Sequence, residues 1–466
     1  MDFTGKTVLV LGLGESGLAM AAWLARMGAR VRVADSRSQP PGAGELASLA
    51  PGAELIAGAF TDALLEDVNV LAISPGLDPR QALVTEARRR GIDVTGEIEL
   101  FAQALPALYG ARRPQVVAIT GTNGKTTTTT LVGALCRAAG KQVAVAGNIS
   151  PAALTALMQT ADAGVLPEVW VLELSSFQLE TCHSLAADAA TVLNVSDDHL
   201  DRYDGLDDYA ATKARIFSGA RVAVLNRQDA RVRGMSVGGC DVFSFGLDAP
   251  ASEADYGTTL DENGTRWLCC GARRLLRADE LALSGLHNVA NALAALALCR
   301  GLGLAEGAVL RALREFKGLA HRVEKVAELG GVSFIDDSKG TNVGATVAAL
   351  EGLGTPVALI AGGDGKGQDF SPLKEAFHRH ARVVALLGKD AERIAEAAQG
   401  CGVPLLRAAT MDEAVALCWQ HARPGDAVLL SPACASLDMY RNYAHRAEVF
   451  IAAVRSLIDR ESGVSA

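Results

Sequence analysis

Short runs of consecutive apolar, mostly β-branched residues recur along the chain. Each ends in glycine or polar residues and is followed by a stretch of helical period. Runs that are apolar throughout, rather than alternating, predict strands buried on both faces, as in parallel sheets. In the first segment these are Lys6 to Leu11, a helix through Met27, and Arg30 to Ala34. Ala72-Ile73-Ser74-Pro75-Gly76 reads as a strand-end turn, and Thr95 to Leu108 as a closing helix before a linker at 110–114. In the second segment the strands are Val116 to Thr120, Val143 to Ala146, Val169 to Leu174 and Ala190 to Asn194. Tyr209 to Phe217 reads as a helical turn, 221–280 as short strands with turns and no chemistry, and Leu286 to Leu298 as an Ala/Leu-rich helix. In the third, Val332 to Ile335, Val357 to Ile360, Val383 to Leu387 and Ala427 to Leu430 alternate with helices. The pattern predicts three doubly wound α/β domains, over 1–110, 111–317 and 318–466: two Rossmann-like ones flanking a central domain of P-loop ATPase type.

Polar groups gather where these strands end, which is where open α/β sheets place ligands. The strongest signal is VVAITGTNGKTTTTT, from Val116 to Thr130. A strand, a tight turn of Gly121, Thr122, Asn123, Gly124 and Lys125, and a helix opening at Thr126 make a phosphate cradle. Lys125 would reach the β/γ-phosphates and the Thr126 hydroxyl would hold Mg²⁺. Ile119 stands where the general pattern has its first glycine, so the loop is a shortened variant. Thr127 and its neighbours are poor helix formers without such a reason. Glu173 ends an apolar strand and suits the metal side of the cradle.

The first segment carries Gly12-Leu13-Gly14-Glu15-Ser16-Gly17 after a strand, with Asp35 about 20 residues on. Alone it predicts a dinucleotide enzyme. The physics asks only for a diphosphate at a glycine turn, so UDP serves as well as NAD, and Asp35 could accept from a ribose hydroxyl or a uracil N–H. Asn288 and Asn291 share a helix face and could read an adenine edge. Gly362-Gly363-Asp364-Gly365-Lys366 is a second glycine turn suited to an anion, either a carboxylate or a phosphate. On composition alone Lys213 reads as a solvated helix lysine.

Bulk properties narrow the class. The chain has 466 residues, 49% apolar and 21% charged, with 44 basic against 53 acidic side chains. The resulting charge of −9, with no basic patch, argues against nucleic acid. Nine cysteines without paired spacing argue for a reducing compartment and against a zinc site. No leader is apparent and no apolar run reaches membrane-spanning length. A cytoplasmic protein without membrane insertion is expected.

Together the motifs ITGTNGKTT, GNI, LELSSFQLE, DDHLDRY, HNVANALAAL, HRVE, DDSKGTN, GGDGK and SPACASLD resemble the Mur ligases of bacterial peptidoglycan synthesis over nearly the whole chain. ELSSFQLE and SPACASLD look like the D-glutamate-adding branch. The resemblance implies one domain each for UDP, ATP and the incoming amino acid. It implies an ATP-dependent amide ligase that joins D-glutamate to UDP-N-acetylmuramoyl-L-alanine through an acyl phosphate, acting as a monomer. By resemblance Gly121 to Thr127 hold ATP phosphates, while Asn288, Asn291, His321, Arg322 and Asp337 bind the nucleotide. Two Mg²⁺ sites are implied, one with Thr126 and Glu173, the other with His199. Lys213 matches a lysine carbamylated by CO₂ that bridges to metal, which replaces its solvated reading. Catalytic roles fall to Lys125, Lys213 and His199, the last as metal ligand or amine base. Ser16, Asp35, Ser36, Arg37 and Gly76 match UDP contacts. Asn148, Ser175 and Gln178 match the muramoyl side, and Thr341, Lys366, Ser436, Leu437 and Tyr443 the D-glutamate pocket. Three positions depart from the family pattern: Gly340 for Ala, Tyr443 for Phe and Ala447 for Gly.

Overall fold

A computed structural model describes residues 2–199, 202–283, 285–318 and 321–462. Leu200 and Asp201 of the Asp197–Tyr203 run, and Ala320 before His321, lie outside the described residues. The strands fall into three sheets of five, nine and six. The first is wholly parallel, in the order β3-β2-β1-β4-β5: β1 (Thr7–Leu11), β2 (Arg30–Asp35), β3 (Glu54–Ala57), β4 (Val70–Ile73) and β5 (Asp93–Thr95).

The second sheet has a parallel body of β6 (Gln115–Thr120), β7 (Val143–Gly147), β8 (Val169–Glu173), β9 (Ala189–Val192), β10 (Val222–Asn226) and β11 (Asp241–Phe245). β12 (Asp255–Leu260) continues it, and β13 (Arg266–Cys270) and β14 (Arg273–Arg277) add an antiparallel edge. The third runs β15-β16-β20-β17-β18-β19, with β15 (Glu324–Leu329) antiparallel to β16 (Val332–Asp336). The remainder is parallel: β17 (Val357–Ala361), β18 (Ala381–Leu386), β19 (Leu405–Arg407) and β20 (Ala427–Leu430). The sequence shows four of these six strands. β15 and β19 escape it because one is half-exposed and the other only three residues long.

The first two domains share one apolar core, in which Val8, Val10 and Trp23 join Trp170, Leu172 and Leu154. The Glu97–Tyr109 helix is the wedge between them. Its Phe101 meets Trp170 edge-on at 5.0 Å, and Trp170 Nε1 donates to Tyr109 Oη at 2.8 Å. Glu97, buried, accepts Leu154 N–H at 2.7 Å, and Glu99 accepts from Ser184 Oγ and from the His183 and Ser184 amides. The third domain keeps its own core on either side of its sheet. In each sheet the strand order reverses beside a strand that ends in a functional turn: β1, β6 and β20. That places the polar strand ends at switch points. No helix among the described residues is long and apolar enough to cross a membrane.

Candidate active site

The phosphate loop follows β6 and precedes the Lys125–Ala138 helix. Gly124 takes φ 80° as the helix N-cap, and a Cβ there would lie 2.5 Å from Asn291 Oδ1. The close approach of Asn291 therefore requires glycine at this position. Leu131, Val132, Leu135 and Cys136 bury the helix's inner face. Thr126 and Thr127 line a cavity, whereas the Thr128, Thr129 and Thr130 hydroxyls are buried with no partner among the described residues.

The cavity has a volume of about 860 Å³ between the central and third domains. The candidate residues on its wall are Thr122 to Thr127, Asn148, Glu173, His199, Asn288, Asn291, Arg322, Asp337, Thr341 and Tyr443. Gly121 and Lys213 lie beneath this wall. Lys125 Nζ donates to the Gly121 and Thr122 carbonyls at 2.7 and 2.8 Å. Lys213, 1% exposed, donates to the same Gly121 carbonyl at 3.0 Å and sits 4.4 Å from the Tyr209 ring centroid. Two amines thus converge on one acceptor. Burial, then the Lys125 charge, holds the Lys213 amine well below the ordinary lysine range. Burial also lowers Lys125, against the pull of Glu173 and Asp198.

Glu173 is 2% exposed. Its Oε1 accepts from Asn148 Nδ2 at 2.8 Å, while Oε2 is buried with no partner among the described residues. A buried carboxylate oxygen left over beside a phosphate loop fits a hard cation, and the Thr126 hydroxyl offers a second oxygen. Thr126 Oγ1 meanwhile accepts from Arg322 at 2.9 Å. His199 takes φ 55°, unusual for a non-glycine residue. Its Nε2 is 3.6 Å from Asp198 Oδ2, and burial depresses its pKa, helped by Lys366, Lys125 and Lys213.

From the third domain, Asp337 is pushed up to about 7 by burial and accepts Ser431 Oγ at 2.7 Å. A Cβ at Gly340 would stand 2.6 Å from Asp337 Oδ2, so the glycine that departs from the family pattern suits this carboxyl position. His321, the neighbour of Arg322, does not itself line the cavity; its Nδ1 pairs with Asp336 Oδ2 at 2.7 Å. Ser436 is buried, Lys366 and Leu437 are exposed, and Ala447 is buried in the last helix. Sequence reasoning missed Lys339, which lines the cavity 5.0 Å from the Tyr443 ring centroid and is held down to about 8 chiefly by burial. It also missed Asn194, Ser196, Asp198 and Asn342. All but Asn194 and Ser196 stand inside motifs already singled out, where residue type alone gave them no role.

The first domain's turn lies apart from this cavity. Gly17 is obligatory, since a Cβ would meet the Gly12 carbonyl oxygen at 1.8 Å, and Ser74 Oγ braces that carbonyl at 2.8 Å. Asp35 accepts four hydrogen bonds, from Leu13 N, Arg37 N, Arg37 Nε and Arg37 NH2. Those bonds hold its carboxyl far below the usual range, with Arg37 the main cause. Asp35 shapes the turn here, with the Arg37 side chain paired to both of its oxygens. Ser16 is half-buried on the turn, and Ser36, Arg37 and Gly76 are exposed beside it. Ser175 and Gln178 form a capping box on the Ser176–Leu179 helix. The turn and the cavity are joined through Glu15, which accepts from Ser150 Oγ at 2.8 Å and from Ala152 N at 3.1 Å.

Three family profiles match in chain order. They are the Mur ligase MurD-like N-terminal domain over 6–96, the Mur ligase middle domain over 119–299 and the Mur ligase glutamate ligase domain over 321–434. The chain is 60% identical over 457 residues to the UDP-N-acetylmuramoylalanine--D-glutamate ligase of Aromatoleum aromaticum, covering 97% of this chain and 98% of the relative. A protein of the same name from Nitrosospira multiformis is 57% identical over 465 residues, covering 99% and 98%. Among solved structures, UDP-N-acetylmuramate-alanine ligase from Thermotoga maritima superposes with a TM-score of 0.60 at 19% identity, covering 97% and 99% of the two chains.

Proposed function

The chain belongs to the Mur ligase family, and from that premise we infer how its site works. It is an ATP-dependent ligase that adds D-glutamate to UDP-N-acetylmuramoyl-L-alanine in peptidoglycan precursor synthesis. One observation carries the mechanism: a phosphate loop, an unpartnered buried carboxylate oxygen and a cluster of cations share one cavity between the central and third domains.

A carboxylate and an amine do not condense unaided at useful rates. The L-alanyl carboxylate attacks the γ-phosphorus, the bond to ADP breaks, and an acyl phosphate forms. The D-glutamate amine then attacks the acyl carbon, loses a proton, and phosphate departs with the bonding pair. The chain's part in the first step is positioning and charge neutralisation. Gly121 to Thr127 wrap the phosphates. Lys125 exchanges its loop carbonyls for phosphate oxygens, and Arg322 exchanges Thr126 likewise. Asn288, Asn291, His321 and Asp337 hold the nucleoside end. Thr126 and Glu173 would hold one Mg²⁺, and His199 with carbamylated Lys213 a second. Bound there, the ions neutralise charge developing on the transferred phosphoryl group. Carbamylation needs a neutral amine, and the burial that lowers the Lys213 pKa favours that form.

The UDP end goes to the Gly12–Gly17 turn with Ser16, Asp35, Ser36, Arg37 and Gly76. Asn148, Ser175 and Gln178 face the muramoyl side. Thr341, Lys366, Ser436, Leu437 and Tyr443 receive D-glutamate. Domain boundaries fall at 110 and 317. We place the chain in the cytoplasm as a monomer; nine free cysteines suit that reducing compartment. Phosphate release that requires ATP, the UDP-substrate and D-glutamate together tests the reading. Steady release with either of the last two omitted would overturn it.

A further inference from the structure

Three asparagines from separate segments meet at the tip of the phosphate loop. Asn194, just after β9, grips the backbone of Asn123 from both sides. Its Oδ1 accepts Asn123 N–H at 2.8 Å, and its Nδ2 donates to the Asn123 carbonyl at 3.1 Å. The loop tip is therefore fixed by the central domain. Asn342, in the third domain, is the N-cap of the Val343–Leu353 helix, and its Oδ1 accepts Ala345 N–H at 2.9 Å. That bond decides the amide's orientation. Nδ2 must face outward, and it donates to Asn123 Oδ1 at 3.0 Å. Asn342 is 5% exposed. Gly344, two residues further, comes so close that a Cβ would lie 3.2 Å from Ser196 Oγ and 3.3 Å from Asn123 Nδ2.

Arg322 and Asn342 thus both tie the third domain to the loop, and their chemistry differs. The guanidinium of Arg322 lies in the cavity and can trade the Thr126 hydroxyl for phosphate. Asn342 is neutral and bonds the protein's own loop tip, so its contact does not depend on a nucleotide. A ligase with an activated carboxyl made at one domain and an amine delivered by another needs their separation set to within a fraction of an ångström.

We propose that Asn342 is a positioning residue that registers the third domain on the phosphate loop, so that the amine meets the acyl carbon formed there. The proposal rests on the assignment of D-glutamate to the third domain. It separates the two chemical steps. Acyl phosphate formation draws on the phosphate loop and Glu173 of the central domain and on Arg322, which keeps its own tie to Thr126, and does not require the amine in register. Amide formation does.

Asn342→Ser distinguishes this role from helix capping. Serine keeps a side-chain acceptor for Ala345 N–H, so the cap survives, but it cannot reach Asn123 with an N–H. Two activities are read on the full chain. Acyl phosphate is trapped as a hydroxamate by hydroxylamine with ATP and UDP-substrate alone, and amide formation is followed as D-glutamate-dependent phosphate release. The expected result is an unchanged Tm, hydroxamate formation within about twofold of the parent, and kcat/KM for D-glutamate lowered by about tenfold or more. Asn342→Ala should show the same kinetic split with a lowered Tm. A serine variant with parental D-glutamate kinetics would overturn the proposal, leaving a helix cap. Equal loss of hydroxamate and amide would also overturn it, placing Asn342 at the nucleotide. A parent protein that forms hydroxamate but ignores D-glutamate would overturn the substrate assignment itself, and the proposal with it.

Discussion

Lys213 offers the sharpest test of the site's electrostatics. Its amine and that of Lys125 share the Gly121 carbonyl, at 3.0 and 2.7 Å. Sharing one acceptor puts them on the order of 5 Å apart. Two full charges at that distance repel by about 3 kcal/mol at an effective dielectric constant near 20. The loop therefore disfavours two ammonium groups, and a third positive centre, the metal, worsens the conflict. A carbamate on Lys213 reverses the sign of the interaction and presents two oxygens. Lys213→Ala relieves the repulsion yet removes those oxygens, so a purely repulsive lysine would give a faster enzyme and a carbamate a slower one. The expected loss in kcat is about 100- to 1,000-fold, the scale of removing one fixed charged group from a transition state. Phosphate release measures it, circular dichroism checks folding, and short carboxylates such as acetate should restore part of the rate. With ¹³CO₂, the parent should show a carbamate carbon resonance that the variant lacks. Lys213→Arg keeps the charge and cannot form this carbamate. Full turnover by that variant in CO₂-depleted buffer would refute the reasoning.

Other perturbations separate the domains. Lys125→Ala should abolish turnover while calorimetric affinity for the UDP-substrate survives, because the UDP end of that ligand is assigned to the first domain and Lys125 to ATP; lost affinity would contradict the division. Lys366→Ala should weaken D-glutamate by about 1.5–3 kcal/mol, roughly 10- to 150-fold in KM. Its KM for ATP should change by less than about twofold, and equal losses for both would refute the pocket. Glu97 bears on stability. Burial raises its pKa from 4.5 to about 7, so the folded chain holds a proton that the unfolded chain releases, and stability falls as pH rises through that window. The shift corresponds to about 3 kcal/mol. Glu97→Gln retains an acceptor for Leu154 N–H and cannot ionise. Its Tm should exceed the parent's at pH 8 but not at pH 5, and a pH-independent difference would rule the mechanism out.

What could be read from the sequence follows from what local pattern encodes. β1, β6, β8 and β20 are apolar runs that stop abruptly at polar or glycine residues, and the structure puts the stops of β1, β6 and β20 at the sheet switch points, with β8 paired beside β6. Glu173 was legible because it terminates such a run. Lys213 was not: its helix, Leu206–Ala214, is of mixed polarity, and the lysine's burial comes from its position under a loop more than ninety residues away in sequence. The Ser175–Gln178 capping box has a recognisable spacing, which identifies a helix start and says nothing of a ligand. Asp35 matches the dinucleotide fingerprint by type and position, but its pairing with Arg37, two residues on, is not part of that pattern. Asn342 sits in a motif that resemblance singles out, but its amide orientation and its bond to Asn123 need the two domains in place.

The central claim is that D-glutamate is the amine joined to an ATP-activated UDP-N-acetylmuramoyl-L-alanine. The direct measurement is phosphate release from ATP with that UDP-substrate against a panel of D- and L-amino acids, with product masses recorded. The account predicts turnover with D-glutamate, a product heavier by one glutamyl unit, and little release with L-glutamate or with neutral D-amino acids that lack the second carboxylate. Comparable release and amide formation with D-alanine or L-glutamate would contradict it.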